Sequence, residues 1–164
     1  MLILRAAKML DLAWVLEDLI QDERAQLEEF TGDPYDAAGV AAYTWGLRGP
    51  RWALCDEYDR PLGVAGLERL RPGVYRSWFY STERLWTYTD VTTVTKGVID
   101  AMLADDAHRI ETIALEDRHQ SRRWYERLGL RLEATLQGFG ATGRNAVLYT
   151  ATRPTRVADV RKHE

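Results

Sequence analysis

A helix-forming stretch lies between two strand-forming stretches in the middle of this chain, and it constrains the fold more than any other feature. The segments Val74–Tyr80 and His108–Leu115 alternate in character as strands do. Between them an apolar stripe at helical spacing predicts a helix from about 90 to 105; its members are Val91, Val94, Val98, Ile99, Met102 and Leu103. A helix in that place lets the two strands pair in parallel through a right-handed crossover. The sheet is therefore predicted to be mixed.

Polar turns separate the strand-forming runs that precede this helix. Residues 52–55, 61–70 and 74–80 follow one another closely and predict a three-stranded antiparallel meander. Further strands are predicted over residues 2–6, 130–136 and 146–152. The predicted fold class is α/β, with six to seven strands in one mixed sheet and helices on both faces.

Two helices are predicted before the second strand. The first follows an apolar stripe in a segment without Gly or Pro, formed by Leu10, Trp14, Leu16 and Ile20. Asp33 followed by Pro34 has the chemistry of an N-cap and first helical position, and predicts a second helix that continues to about Trp45.

The last predicted helix carries signals at both ends. Asp117 followed by Gln120 resembles a capping box at its start, and Gly129 stands where a glycine commonly ends a helix. One face between these signals is formed by Ser121, Trp124, Tyr125 and Leu128.

Composition and charge exclude several kinds of partner. The chain has 22 Lys and Arg against 25 Asp and Glu, a net charge of −3, so we expect neither nucleic acid nor a membrane surface as a partner. Charged residues interrupt the first 20 residues, and no apolar run approaches the roughly 18 residues of a membrane span. We expect a cytoplasmic protein with one domain over residues 1–152 and a polar tail over 153–164.

The order of elements and one short motif resemble the Gcn5-related N-acetyltransferase superfamily. The predicted order is β-α-α-β-β-β-α-β-α-β-β, and Trp124 and Tyr125, followed by Gly129 and Leu130, match the aromatic-Tyr-x-x-x-Gly signature of that family. The resemblance covers nearly the whole chain. It implies acyl transfer from acetyl-CoA to an amine in a V-shaped cleft between strands four and five, with Tyr125 as the general acid for the leaving thiolate.

The loop that should bind the cofactor departs from the family pattern. Residues 81–97 lack the Arg/Gln-x-x-Gly-x-Gly/Ala run whose backbone N–H groups hold a pyrophosphate. We still expect the pyrophosphate at the start of helix 90–105, where Asp90 would cap the helix and also place a negative charge. The predicted cofactor-binding residues are Arg84, Trp86, Thr87, Tyr88, Thr89, Asp90, Val91, Thr92 and Thr93.

Candidate general bases are carboxylates near strand ends, namely Glu68, Glu116 and Glu83, and His119 is a further proton acceptor. Each is also a common kind of surface residue. The three histidines show no metal-binding spacing, and no metal is expected. Cys55 is interpreted as a small buried residue. The run of glycines at 138, 140 and 143 precedes a strand, so it predicts a mobile hairpin loop over the acceptor side instead of a dinucleotide site.

A second hypothesis is a non-catalytic protein. Tailed phages encode a virion-assembly protein with a reduced version of the same fold, and Trp78-Phe79-Tyr80-Ser81-Thr82 with the glycine-free loop after it is similar to that pattern. The partner is then a virion protein; for the enzyme it is a small-molecule or protein amine. Exposed aromatic residues of the second helix could form an acceptor wall or a homodimer face, with Tyr35, Tyr43 and Trp45 as candidates.

Overall fold

The computed structural model describes residues 1–154 as one seven-stranded sheet with helices on both faces. The strands are β1 (Ile3–Ala6), β2 (Arg51–Cys55), β3 (Pro61–Arg71), β4 (Val74–Ser81), β5 (Arg109–Leu115), β6 (Arg131–Leu136) and β7 (Ala146–Thr152). The helices are α1 (Met9–Glu17), α2 (Gln21–Thr31), α3 (Ala37–Gly46), α4 (Val91–Ala104) and α5 (His119–Arg127), with a short 3₁₀ helix over Glu83–Thr87.

The sheet order is β1-β2-β3-β4-β5-β7-β6, and β4 with β5 is its parallel pair. All other neighbouring strands are antiparallel. The predicted mixed sheet is confirmed, because α4 carries the chain across one face between β4 and β5.

Each face of the sheet has its own apolar core. Helices α4 and α5 cover one face, where Ile110 and Tyr149 are buried. Helices α1, α2 and α3 cover the other face, where Val64 is buried beneath Leu12 and Leu16. The division follows from the alternation of side chains along each strand.

The single N-terminal helix expected from the sequence is wrong, because the chain breaks between Glu17 and Gln21 into α1 and α2. The Ile20 N–H donates to the Ser81 carbonyl at 3.1 Å, which fixes the break to the end of β4. The expected apolar stripe was also wrong in part. Leu10 and Trp14 are 79% and 66% exposed, and the residues that α1 and its end bury are Leu12, Val15, Leu16 and Leu19.

Helix α3 begins three residues later than the Asp33-Pro34 pair predicted. The Asp33 N–H donates to the Thr31 hydroxyl at 3.2 Å, and the Tyr35 N–H donates to Glu28 at 2.9 Å. These bonds hold residues 33–35 as a link outside the helix. Tyr35 therefore does not belong to α3, and its hydroxyl donates to the Leu16 carbonyl.

The capping box predicted at the start of α5 is absent, whereas the glycine predicted to end this helix is confirmed. Asp117 forms no cap, since its carboxylate pairs with Arg144 at 2.7 Å across the neighbouring loop. At the other end Gly129 has a φ of +90°, and its N–H donates to the Glu126 carbonyl at 3.0 Å. The Leu130 N–H donates to the Tyr125 carbonyl at 3.0 Å, which completes a Schellman motif.

Arg153, near the end of the described residues, caps the C-terminal end of α4. The Arg153 guanidinium donates to the carbonyls of Leu103, Asp105 and Ala107 at 2.6–2.9 Å. The predicted tail over 153–164 lies outside the described residues from 155 onward. Across the part that the structure describes, no helix is both long and apolar enough to cross a membrane.

Candidate active site

A cavity of about 1150 Å³ opens where β4 and β5 separate. The two strands pair over only three residues each, from Val74 with Arg109 to Arg76 with Glu111. Beyond that point they diverge. The walls are formed by Ser77–Tyr80 of β4 and by Thr112, Ile113 and Leu115 of β5, together with α2, α4 and α5. The V-shaped cleft implied by the family resemblance is therefore present.

Helix α2 joins the open ends of the two strands. The Leu115 N–H of β5 donates to the Gln26 side chain at 3.0 Å. On the β4 side, the Glu23 carboxylate accepts the Ser81 N–H at 3.0 Å and the Ser81 hydroxyl at 3.1 Å. Glu23 and Gln26 are three residues apart and share one helical face. This spacing places a carboxylate at the mouth of the cleft.

Glu23 is the titratable group that this arrangement perturbs most clearly. Its side chain lines the cavity and is 8% exposed. Burial raises its pKa from 4.5 to about 7, while the bonds from Ser81 and the charge of Arg118 act in the lowering direction. A carboxylate that titrates near neutral pH is suited to accept a proton.

A chain of hydrogen bonds connects Glu23 to the loop after β4. The Trp86 indole N–H donates to the Ser81 hydroxyl at 3.0 Å, and that hydroxyl donates to Glu23. The Trp86 ring packs against Phe79 and Trp124 at centroid distances of 6.1 and 5.1 Å. Trp86, predicted from the sequence to bind cofactor, thus lies on the cavity wall and helps to fix the carboxylate.

Tyr125 reaches the same cavity from α5. Its ring packs between Trp124 and Tyr149 at centroid distances of 6.1 and 5.5 Å. Burial raises the pKa of Tyr125, and the charge of Arg118 and a polar contact with Thr112 partly oppose this. The hydroxyl is therefore protonated at neutral pH and able to donate.

The carboxylates predicted as bases lie in different surroundings. Glu68 is half-buried on the cavity wall, opposite Arg76 in the β3–β4 register. Glu116 accepts a hydrogen bond from the Asn145 side chain at 3.0 Å and does not line the cavity. Glu83 is exposed in the 3₁₀ helix, while His119 lines the cavity from the start of α5.

The predicted cofactor-binding residues form the junction between β4 and α4. The expected cap is wrong, because the Asp90 carboxylate accepts the Leu2 N–H at 2.9 Å instead of capping α4. The Thr92 hydroxyl accepts the Trp124 indole N–H at 3.1 Å, and Val91 is buried. The remaining members bond to neighbours or face water: Arg84 near Asp56 at 3.6 Å, Thr87 to the Arg84 carbonyl, Tyr88 to Glu57, and Thr89 and Thr93 exposed.

The start of α4 keeps the donors that an anion needs. The N–H groups of Val91, Thr92 and Thr93 have no intrahelical partner at the start of this 14-residue helix, and no side chain of the described residues caps them. Such groups, together with the helix dipole, bind phosphate groups. They offer a pyrophosphate site without the glycine run, although Asp90 and its negative charge lie beside it.

The glycine-containing loop between β6 and β7 lies against α2. The Glu29 carboxylate accepts the N–H and the hydroxyl of Thr142 at 2.8 and 2.6 Å. Phe139 from this loop packs edge-on against Phe30 at 5.3 Å, and both rings line the cavity. The loop therefore lies beside the cavity, and its expected role as a mobile cover of the acceptor side stays a prediction.

Other predicted positions have simple environments. Cys55 is fully buried, as interpreted from the sequence, and burial raises its pKa to about 11. Tyr43 is 72% exposed at the cavity rim, whereas Trp45 is half-buried beneath the Arg51 guanidinium at 4.2 Å. Within residues 1–154, no three His, Cys, Asp or Glu side chains converge as a metal site would need.

Comparison with known proteins shows the fold. No family model and no curated protein matches the sequence. Spermidine N-acetyltransferase from Vibrio cholerae, solved with CoA and spermine, superposes with a TM-score of 0.73 over 93% of this chain and 95% of that chain, at 13% identity. Ribosomal-protein-alanine N-acetyltransferase from Brucella melitensis gives 0.68 over 92% and 99%, also at 13% identity. The chain therefore has the acyl-CoA N-acyltransferase fold that the resemblance implied.

Proposed function

We propose that this protein is an acyl-CoA-dependent N-acetyltransferase. The observation that carries the proposal is the placement of Glu23 and Tyr125 on one cavity between the diverging strands, the first titrating near neutral pH and the second protonated there. An amine acceptor needs a group that takes its proton, and a thiolate leaving group needs a donor. The acetyltransferase fold of the solved relatives supports the same conclusion.

The residues on the cofactor side fit acetyl-CoA. The free N–H groups at the start of α4 would hold the pyrophosphate. The Ser81 N–H and carbonyl bond to Glu23 and Ile20 at α2, not to a neighbouring strand. Because peptide groups alternate in direction along a strand, the N–H and carbonyl of Phe79 point to the same unpaired edge of β4. There they would bond to the amides of the cofactor arm. When bound, acetyl-CoA supplies an acetyl group activated as a thioester.

Glu23 and Tyr125 have opposite roles in proton transfer: Glu23 accepts a proton and Tyr125 donates one. Glu23 takes the proton that the acceptor ammonium must lose before its nitrogen can attack. One N–C bond would form and one C–S bond would break, the Tyr125 hydroxyl giving its proton to the sulfur. The proton that the nitrogen loses as it becomes an amide would return to Tyr125 through water. Phe79, Trp86 and Trp124 pack together and line the cleft with aromatic surface, which lowers the local polarity and strengthens the polar interactions beside it.

Titration calorimetry with acetyl-CoA, followed by an acetyl-transfer assay on amines, tests the proposal. We expect saturable binding and a turnover that rises with pH through about 7, as Glu23 ionises. The Glu23→Gln variant should lose on the order of 10²-fold to 10⁴-fold in turnover while binding acetyl-CoA as before. Glu17→Gln, on the exposed face of α1, makes the same chemical change away from the cavity and should leave turnover intact.

The competing hypothesis of a virion-assembly protein gives a different result in the same experiment. It predicts no affinity for acetyl-CoA and no turnover with any amine. That outcome would refute the proposed function. The cytoplasmic location, the homodimer and the polar tail remain predictions of the sequence.

A further inference from the structure

Arg118 is a shielded cation without a partner in the described chain. Seven arginines of residues 1–154 are at least partly shielded from water. Six of these donate hydrogen bonds to carboxylates, carbonyls or a hydroxyl: Arg5, Arg24, Arg51, Arg76, Arg109 and Arg122. The Arg118 guanidinium makes no hydrogen bond or ion pair with any described residue, and only its backbone is bonded, to Leu115 and Arg122, although shielded arginines in proteins are normally paired.

The position of Arg118 places this charge in the candidate active site. It immediately precedes α5, lines the cavity, and acts electrostatically on both Glu23 and Tyr125. The adjacent acids do not neutralise it, because Asp117 pairs with Arg144 and Glu116 accepts from Asn145. A free guanidinium on the same cavity as the base and the acid offers its paired N–H groups to a ligand, and a carboxylate matches that geometry.

We propose that the acceptor is an apolar α-amino acid, whose carboxylate is bound by Arg118 while its amine faces Glu23. The inference rests on the proposed function and narrows its substrate class. In an α-amino acid the amine and the carboxylate are on one carbon, so a base and a guanidinium that face one cavity and are close enough to interact electrostatically can bind both. The wall near α2 also carries a group of apolar side chains that would contact the apolar side chain of the acceptor, namely Leu27, Phe30, Trp78 and Phe139.

Matched pairs of acceptors test the role of the carboxylate. Phenylalanine is compared with phenethylamine and leucine with isopentylamine, each pair differing only in the carboxylate. For the unmodified protein we expect kcat/KM to favour the amino acid on the order of 10²-fold, the value of a charge-assisted hydrogen bond. In Arg118→Gln this ratio should collapse to near one. Both acceptors use Glu23, so a change in its pKa cancels in the ratio.

A control and a binding measurement keep the two proposals separate. Arg131→Gln removes an exposed arginine of β6, outside this cavity, and should keep the preference. Calorimetry with the CoA-saturated protein should show phenylalanine binding that Arg118→Gln abolishes, with no chemistry involved. A ratio near one in the unmodified protein, or a preference that survives in Arg118→Gln, overturns the amino-acid inference. Absence of acetyl-CoA binding overturns the proposed function, while phenylalanine binding to the free protein still supports the role of Arg118.

Discussion

Replacing Glu23 by Gln should change how the stability of this protein depends on pH. The carboxyl group is buried, and its pKa of about 7 lies above the 4.5 of an exposed glutamate. Between these values the folded protein binds a proton that the unfolded chain has lost. The stabilisation linked to that proton is fully present below pH 4.5 and is lost as the pH rises through about 7. Glutamine cannot ionise, so the variant lacks this loss.

The size of the effect follows from the shift in pKa. Each pKa unit corresponds to about 1.4 kcal/mol, so a rise from 4.5 to about 7 amounts to about 3 kcal/mol of unfolding free energy between acid and alkaline conditions. Gln keeps one oxygen to accept the Ser81 N–H, and its amide can donate to the Ser81 hydroxyl. The geometry of the site therefore survives the substitution.

Urea unfolding of both proteins at pH 5 and pH 8 measures this term. The stability of Glu23→Gln relative to the unmodified protein should rise by about 2 to 3 kcal/mol from the lower pH to the higher. Groups that titrate elsewhere cancel in this difference, and Glu17→Gln should show no such rise. A relative stability that is the same at both pH values within about 0.5 kcal/mol would refute the raised pKa of Glu23.

Three further outcomes are expected. Tyr125→Phe should lower turnover on the order of 10²-fold with little change in melting temperature, because it removes only the donor; unchanged turnover contradicts the general-acid role. Gly97→Ala should stabilise the protein by about 0.5 to 1 kcal/mol, because Gly97 lies in the middle of α4 with open space for a methyl group. Gly129→Ala should destabilise it by about 1 kcal/mol or more, because φ is +90° there. Urea unfolding of the two variants distinguishes the two signs. Asp90→Asn should cost about 1 kcal/mol of stability, because it weakens the hydrogen bond from the Leu2 N–H. The affinity for acetyl-CoA should stay equal or improve, because a negative charge beside the phosphates is lost. A clear loss of affinity in calorimetry would contradict the placement of the pyrophosphate.

The features that the sequence predicted depend on local signals. The helix between residues 91 and 104 required a crossover, so the parallel pairing of β4 with β5 could be deduced without coordinates. The end of α5 was predictable because Gly129 directly follows its last apolar residue. In both cases the residues that decide the structure are close in sequence.

The features that the sequence did not predict depend on distant contacts. Glu23 lies in a polar helix and resembles any surface glutamate until Ser81, 58 residues later, covers it. Asp117 has the chemistry of a helix cap, but its carboxylate pairs with Arg144 from the loop between β6 and β7 and does not cap α5. The periodicity of apolar residues along the chain does not indicate which distant residues form such pairs. The spacing of Glu23 and Gln26 on one helix face is the one local trace, and it is too common to identify a site.

The short parallel seam between Arg76 and Glu111 divides the molecule into two consecutive parts of the chain. Strands β1 to β4 all come from residues 3–81, and strands β5 to β7 all come from residues 109–152. Three residue pairs in register, the Arg76–Glu111 ion pair and the contacts of α2 hold these half-sheets together in the plane of the sheet. Widening the cleft thus breaks few backbone bonds, so the amides along this seam should exchange with solvent by local opening at a lower free energy than those within either half.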